Sequence, residues 1–158
     1  MKKTSWAILM AVAAPSMMMG AEPTAGVVVW PGSELKAYSQ KLAPKVDAKK
    51  VAVERIGTFG NHLIMVAHRE ADGEAELHEV QADFFVVQSG EATLITGGKM
   101  VDGKTTAPGE VRAPSIAGGE RRTIAPGDMV HIPAKIPHQL MIPAGKEFTY
   151  VVIKVDTP

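Results

Sequence analysis

The sequence predicts an all-β antiparallel sandwich or barrel with one short helix on its N-terminal side. Three observations lead there. From Val51 onward no segment keeps a helical period for long, and the apolar residues fall in short or alternating runs. Gly, Pro and Asp separate those runs at nearly even spacing. Two of the breaks, Ser89-Gly90 and Pro126-Gly127-Asp128, have the chemistry of tight turns.

The elements follow in order. Residues 1–21 read as a secretory signal peptide. Lys2 and Lys3 are followed by the apolar run Trp6–Ala14, then Pro15 and small residues up to an expected cut at Ala21–Glu22. Pro15 interrupts the run too early for a membrane span, so the mature chain is expected outside the cytoplasm, periplasmic or extracellular. Residues 22–50 are expected to hold a linker and one helix, Ser33–Leu42. Ser33 suits the cap, Glu34 suits the positive helix end, and Leu35, Tyr38 and Leu42 share a face before Pro44 ends the helix. Residues 51–158 then form one domain, with strands near 51–56, 61–69, 74–78, 83–88, 91–96, 120–124, 128–132, 138–142 and 147–155. Gly97–Gly119, rich in Gly, Pro and Thr, is expected to be a long functional loop. The last strand, Phe148–Val155, is apolar nearly throughout. It is either a central strand or an edge that pairs between subunits, and on the second reading a homodimer is expected.

Composition narrows the function. Lys and Arg number 17 and Asp and Glu 17, so there is no basic excess to neutralise nucleic-acid phosphates. The absence of cysteine excludes a disulfide scaffold, a thiol nucleophile and any thiolate-held metal. A metal would have to be held by His, Asp or Glu.

Two segments carry candidate chemistry. In Glu74-Ala-Glu-Leu-His78 the side-chain period of two puts Glu74, Glu76 and His78 on one face, and a hairpin-like link brings Asp83 back toward His78. In Pro126–Leu140 a turn, a short strand, Pro133 and Pro137 set the chain path before His138, which shares a face with Leu140 and Ile142. Imidazoles beside carboxylates suit Zn, Mn, Fe or Ni. Other residues have two readings each. His62, Ile64, Val66 and His68 share a face that either lines the barrel or is exposed. His131 is structural, supports the site or enters the pocket directly, Tyr150 is core or a ligand donor, and Lys135 lies exposed on a turn.

These two segments resemble the paired motifs of the cupin superfamily. The first, G-x5-H-x-H-x3,4-E-x6-G, is matched with Asp83 in the glutamate place, His78 in the second histidine place, Glu76 in the first, and Gly90 at the end. The second, G-x5-P-x-G-x2-H-x3-N, is matched by Gly127, Pro133 and His138, with Lys135 in place of glycine and Ile142 in place of asparagine. The resemblance spans Glu74–Ile142. It implies an antiparallel jelly-roll barrel, and one divalent metal (Mn, Fe, Ni or Zn) held by His78, Asp83 and His138, with Glu76 as a fourth ligand. Glu76 has two alternative roles, a general base or a salt-bridge partner of Arg69. The partner implied is a small molecule, taken by a metal-dependent enzyme of unresolved reaction type or by a module that binds a sugar or organic acid without catalysis. A metal-free barrel whose histidines are only hydrogen-bonded, and a purely structural role, complete the set.

Overall fold

The computed structural model describes residues 25–158, so the expected signal peptide lies outside the described residues. Among the described residues, one α-helix, α1 (Gly32–Leu42), and a single 3-10 turn, Ala43–Lys45, precede thirteen strands. Its first free amides, on Glu34 and Leu35, donate to the Pro31 carbonyl, and no side chain caps it. Ser33 therefore sits inside the helix instead of capping it. The expected apolar face is real: Tyr38 and Leu42 are buried, with Leu35 packed beside them.

Two sheets face one another. The first contains β1 (Val51–Phe59), β2 (His62–Arg69), β4 (Gln81–Gly90), β11 (Met129–Ile132) and β13 (Phe148–Asp156), in the order β1-β2-β13-β4-β11. The second contains β3 (Ala75–His78), β5 (Ala92–Thr96), β7 (Lys104–Ala107), β8 (Glu110–Ala113), β10 (Glu120–Ile124) and β12 (His138–Met141), in the order β10-β5-β12-β3-β8-β7. A two-stranded ribbon pairs β6 (Lys99–Val101) with β9 (Ser115–Ala117). Every pairing is antiparallel, and the crossovers between sheets make a double-stranded β-helix, the jelly-roll arrangement.

Each of the nine expected strands has its counterpart, but the expected long loop over Gly97–Gly119 is wrong. That stretch folds into β6, β7, β8 and β9. Its strands are only three or four residues long, too short to show an alternating pattern in the sequence. β13 is a central strand between β2 and β4, so it has no free edge with which to pair between subunits. The argument for a homodimer through that strand fails.

The pleat sorts residues between two cores. Inward from the first sheet point Ala67, Phe85, Val87, Phe148, Tyr150 and Val152, which meet Leu94 and Leu140 of the second sheet together with Ile142 beyond its strand end. Outward point Val66 and Val151, covered by Tyr38 and Leu42 of α1, with Ile64 packed against them. The His62–His68 face is thus neither barrel lining nor a bare strand face; it lies on the helix side of the sheet. His68 is fully buried there, with Nδ1 2.8 Å from the Thr149 hydroxyl. Of the two expected turns, one is found. Ser89 and Gly90 instead end β4, in register with Thr149 and Phe148 of β13, and Gly90 takes a φ of +76°, where a Cβ would run into the Glu147 carbonyl oxygen. After Gly127, Asp128 closes its turn by accepting from the Ala125 amide at 2.9 Å. No helix among the described residues is long and apolar enough to cross a membrane.

Candidate metal centre

Strand register assembles the site. Glu76 on β3 lies opposite both His138 on β12 and Arg112 on β8. His78 lies opposite Glu110, and Asp83 on β4 lies opposite Lys154 on β13. All seven belong to the inward phase of their strands, so four neighbouring pairs project charge and imidazole into the space between the sheets. Glu76, His78, Asp83 and His138 each bring a donor atom to one point, within 4.8 Å of one another. Three of the four are buried, and Glu76 is partly so. Glu74 does not join them; it lies before β3 and pairs with Lys49 at the surface.

Both imidazoles are aimed by their outer nitrogens. His138 donates from Nδ1 to the Ile136 carbonyl oxygen at 3.1 Å. Its Nε2 is buried and has no hydrogen-bond partner, with the nearest Asp83 oxygen at 3.5 Å. His78 holds Nδ1 2.8 Å from the Glu110 carboxylate. That arrangement leaves an Nε2 lone pair directed inward on each ring. A buried lone pair without a donor is costly, and a metal ion is one way to satisfy it. Two imidazole nitrogens and two carboxylates match the preferences of Mn, Fe, Ni and Zn, so the residues present fit a divalent metal.

The charges are strongly coupled. Burial works against the ionised form of Asp83, yet His138, His78 and Lys154 hold its carboxyl well below the usual range. Burial likewise opposes Glu76, but His78, Arg112, His138 and Arg69 bring it down to about 2. Burial also opposes the charged form of His78, while Asp83 and Glu76 outweigh it and carry the ring up to about 9, with Lys154 pulling the other way. Lys154 Nζ lies 2.8 Å from His78 Nε2 and 2.8 and 3.1 Å from the two Asp83 oxygens. An imidazolium and an ammonium at that distance would be donor against donor. Protonation of His78 at Nε2 and the Lys154 contact therefore exclude one another.

A cavity of about 210 Å³ opens beside the four residues. Met65, Phe85, Leu140 and Val152 form its apolar part, and Arg69, Arg112, Tyr150 and Lys154 its polar part. Arg69 donates from Nε to the Tyr150 hydroxyl at 3.1 Å and lies 3.5 Å from Glu76. The Arg69–Glu76 contact expected from the sequence thus coexists with the four-residue cluster. Arg112 lies 3.0 Å from Glu110 and 3.7 Å from Glu76. Burial pushes the Tyr150 phenol up, against the nearby Arg69. His131 is elsewhere, exposed on β11 and stacked on Phe84 with ring centroids 4.5 Å apart. Lys135 is exposed with a φ of +67°, the left-handed conformation that the motif's glycine would supply.

Sequence reasoning missed Glu110, Arg112 and Lys154. The first two lay in the stretch read as a loop. Lys154 did leave a trace: on the inward phase Phe148, Tyr150, Val152, Lys154, it is the one charged residue.

No family profile matches the sequence, and no curated protein matches it. Solved structures do match in fold. An uncharacterised conserved protein with a double-stranded β-helix domain from Klebsiella pneumoniae is 15% identical, with a TM-score of 0.52 over 70% of this chain and 80% of that one. KdgF from a Halomonas species is 13% identical, with a TM-score of 0.52 over 71% of this chain and 86% of that one. A cupin-2 domain protein from Rhodospirillum rubrum is 14% identical, with a TM-score of 0.51 over 68% of this chain and 60% of that one. Two motif segments in order, a jelly roll that sets them face to face, and these likenesses give the chain the fold of the cupin superfamily.

Proposed function

We propose that this protein is an exported cupin that holds one divalent metal at Glu76, His78, Asp83 and His138 and acts on a small molecule entering the adjoining cavity. The observation that carries the reading is the pair of buried imidazoles, each anchored through Nδ1 and converging with two carboxylates. Bound there, Mn, Fe, Ni or Zn would supply Lewis-acid or oxygen-activating chemistry. The chain's own residues have separate tasks. Glu110 and the Ile136 carbonyl keep the two rings in the ligating tautomer. Glu76, brought down to about 2, is ionised at neutral pH and holds protons poorly, which favours the ligand role over the base role. Arg69 and Arg112 place positive charge on the cavity wall, suited to a carboxylate on the bound molecule, while Met65, Phe85 and Val152 hold its apolar part.

A second reading rests on Lys154. Its ammonium already satisfies His78 and Asp83, which favours a metal-free module that binds an organic acid or sugar. Elemental analysis of untagged protein separates the two. The metal reading expects about one equivalent of a transition metal, lost in His138→Ala with the fold retained. Metal-free protein that takes up none on titration would leave the binding module.

A further inference from the structure

We propose that Lys154 is a built-in counter-cation of the ligand cluster, and that a divalent metal enters only by displacing its ammonium. This inference rests on the metal reading of the site and goes beyond it, because it assigns a task to a residue outside the ligand set.

The geometry makes the competition direct. Lys154 Nζ is 2.8 Å from His78 Nε2 and 2.8 Å from Asp83 Oδ1. The lone pairs it engages are those a metal needs, and one lone pair cannot serve both. The remaining donors, His138 Nε2 and the Glu76 carboxylate, make no hydrogen bond to it, so the ammonium takes half of the cluster and leaves the other half open. A dication close to an ammonium would also be strongly repelled, since the shared site is largely withdrawn from water. The lysine has somewhere to go. Its side chain is 15% exposed and lines the cavity on the same strand face as Tyr150 and Val152, and four methylenes let the head swing along that wall. In metal-free protein the same contact helps to neutralise Asp83, which is 2% exposed and would otherwise be a buried anion without an ammonium partner. Lys154 therefore stabilises the metal-free state and weakens the metal-bound one.

The test is metal affinity in the full-length mature protein, read by competition with a fluorescent chelator for Zn²⁺ and Mn²⁺. Wild type is compared with Lys154→Met, which keeps the apolar stem, and with Lys154→Gln, which keeps a polar head. Far-UV circular dichroism checks that each is folded. Loss of a charge-assisted hydrogen bond is worth about ten- to a hundredfold, so both variants are expected to bind metal tighter by about that factor. Both are also expected to melt lower without metal and to show a larger rise in melting temperature when metal is added. Metal bound by the variants and not by wild type would be the extreme form of the same result. Equal or weaker affinity in both folded variants overturns the inference and leaves the metal centre standing. No metal bound by wild type or by either variant overturns the metal centre, and this inference with it.

Discussion

Phe148 and Lys154 stand on the same face of the same strand, in opposite surroundings. Phe148 is fully buried among Tyr150, Leu140 and Ile142, within a core of carbon atoms. Lys154 ends the same row of inward residues among Asp83, His78 and the cavity. The jelly roll thus has an apolar end and an ionic end. Dispersion and water exclusion hold the first together, and little there is directional. The second has withdrawn several charges from water, a cost that mutual attraction only partly offsets. A barrel selected for stability alone would fill both ends with Leu and Val. On the proposed function the ionic end is the part arranged for binding, and the apolar end supplies the stability that offsets its cost.

The largest expected effect breaks the apolar end. Phe148→Ala is expected to lower the unfolding free energy by about 3–5 kcal/mol, measured by urea denaturation. Under native conditions its metal stoichiometry should match wild type. Coupled loss of metal in folded Phe148→Ala protein would show that the two ends are not separable.

The next effect sharpens the ionic end through pH. In metal-free protein His78 is carried up to about 9 from an ordinary value of 6.5, so below about pH 9 the Lys154 ammonium keeps Asp83 and joins His78 only as the ring loses its proton. Its folded-state value is raised, so the stability it contributes is fully present below pH 6.5 and lost as pH rises through about 9. Glu76 is brought down to about 2 from 4.5, so its contribution is present above pH 4.5 and lost as pH falls toward 2. The melting temperature of metal-free protein is expected to fall on both sides of that window. Metal binds only the neutral ring, so the alkaline fall should disappear in saturating Zn²⁺. Phe148→Ala should keep the wild-type profile at a lower temperature.

The smallest effect lies on the loop that leads into His138. Lys135 holds a φ of +67° with its side chain exposed. Lys135→Gly is expected to raise stability by about 0.5–1 kcal/mol, read as a shift of the urea midpoint. Metal affinity should stay unchanged, because Lys135 meets the four candidate ligands only through its backbone amide, which donates to the His78 carbonyl oxygen at 2.7 Å and is kept in the variant.

Much of this molecule was legible in the chain. Alternation and turn chemistry located nine strands because each is either long enough to show its period or bounded by Gly and Pro. Glu76, His78, Asp83 and His138 were legible because motif spacing places them, and the period of two puts Glu76 and His78 on one face. The stretch from Gly97 to Gly119 was not legible. Strands of three or four residues, such as Glu110–Ala113, carry no periodic signal, and their pairing with β3 is what makes them strands. Glu110 was lost with them.

By itself the sequence determined which residues face inward, since that depends only on local backbone geometry repeating along each strand. It also determined the kind of donor available, since without cysteine only imidazoles and carboxylates remain. The tertiary structure alone decided who meets whom. Lys154 lies 71 residues from Asp83 and 76 from His78; the register of β13 against β4 sets it beside Asp83, and the packing of the two sheets brings it to His78 on β3. It also decided that β13 is central and that the His62–His68 face lies under α1. Pairing register and sheet order are long-range choices, made by the fit of two whole surfaces.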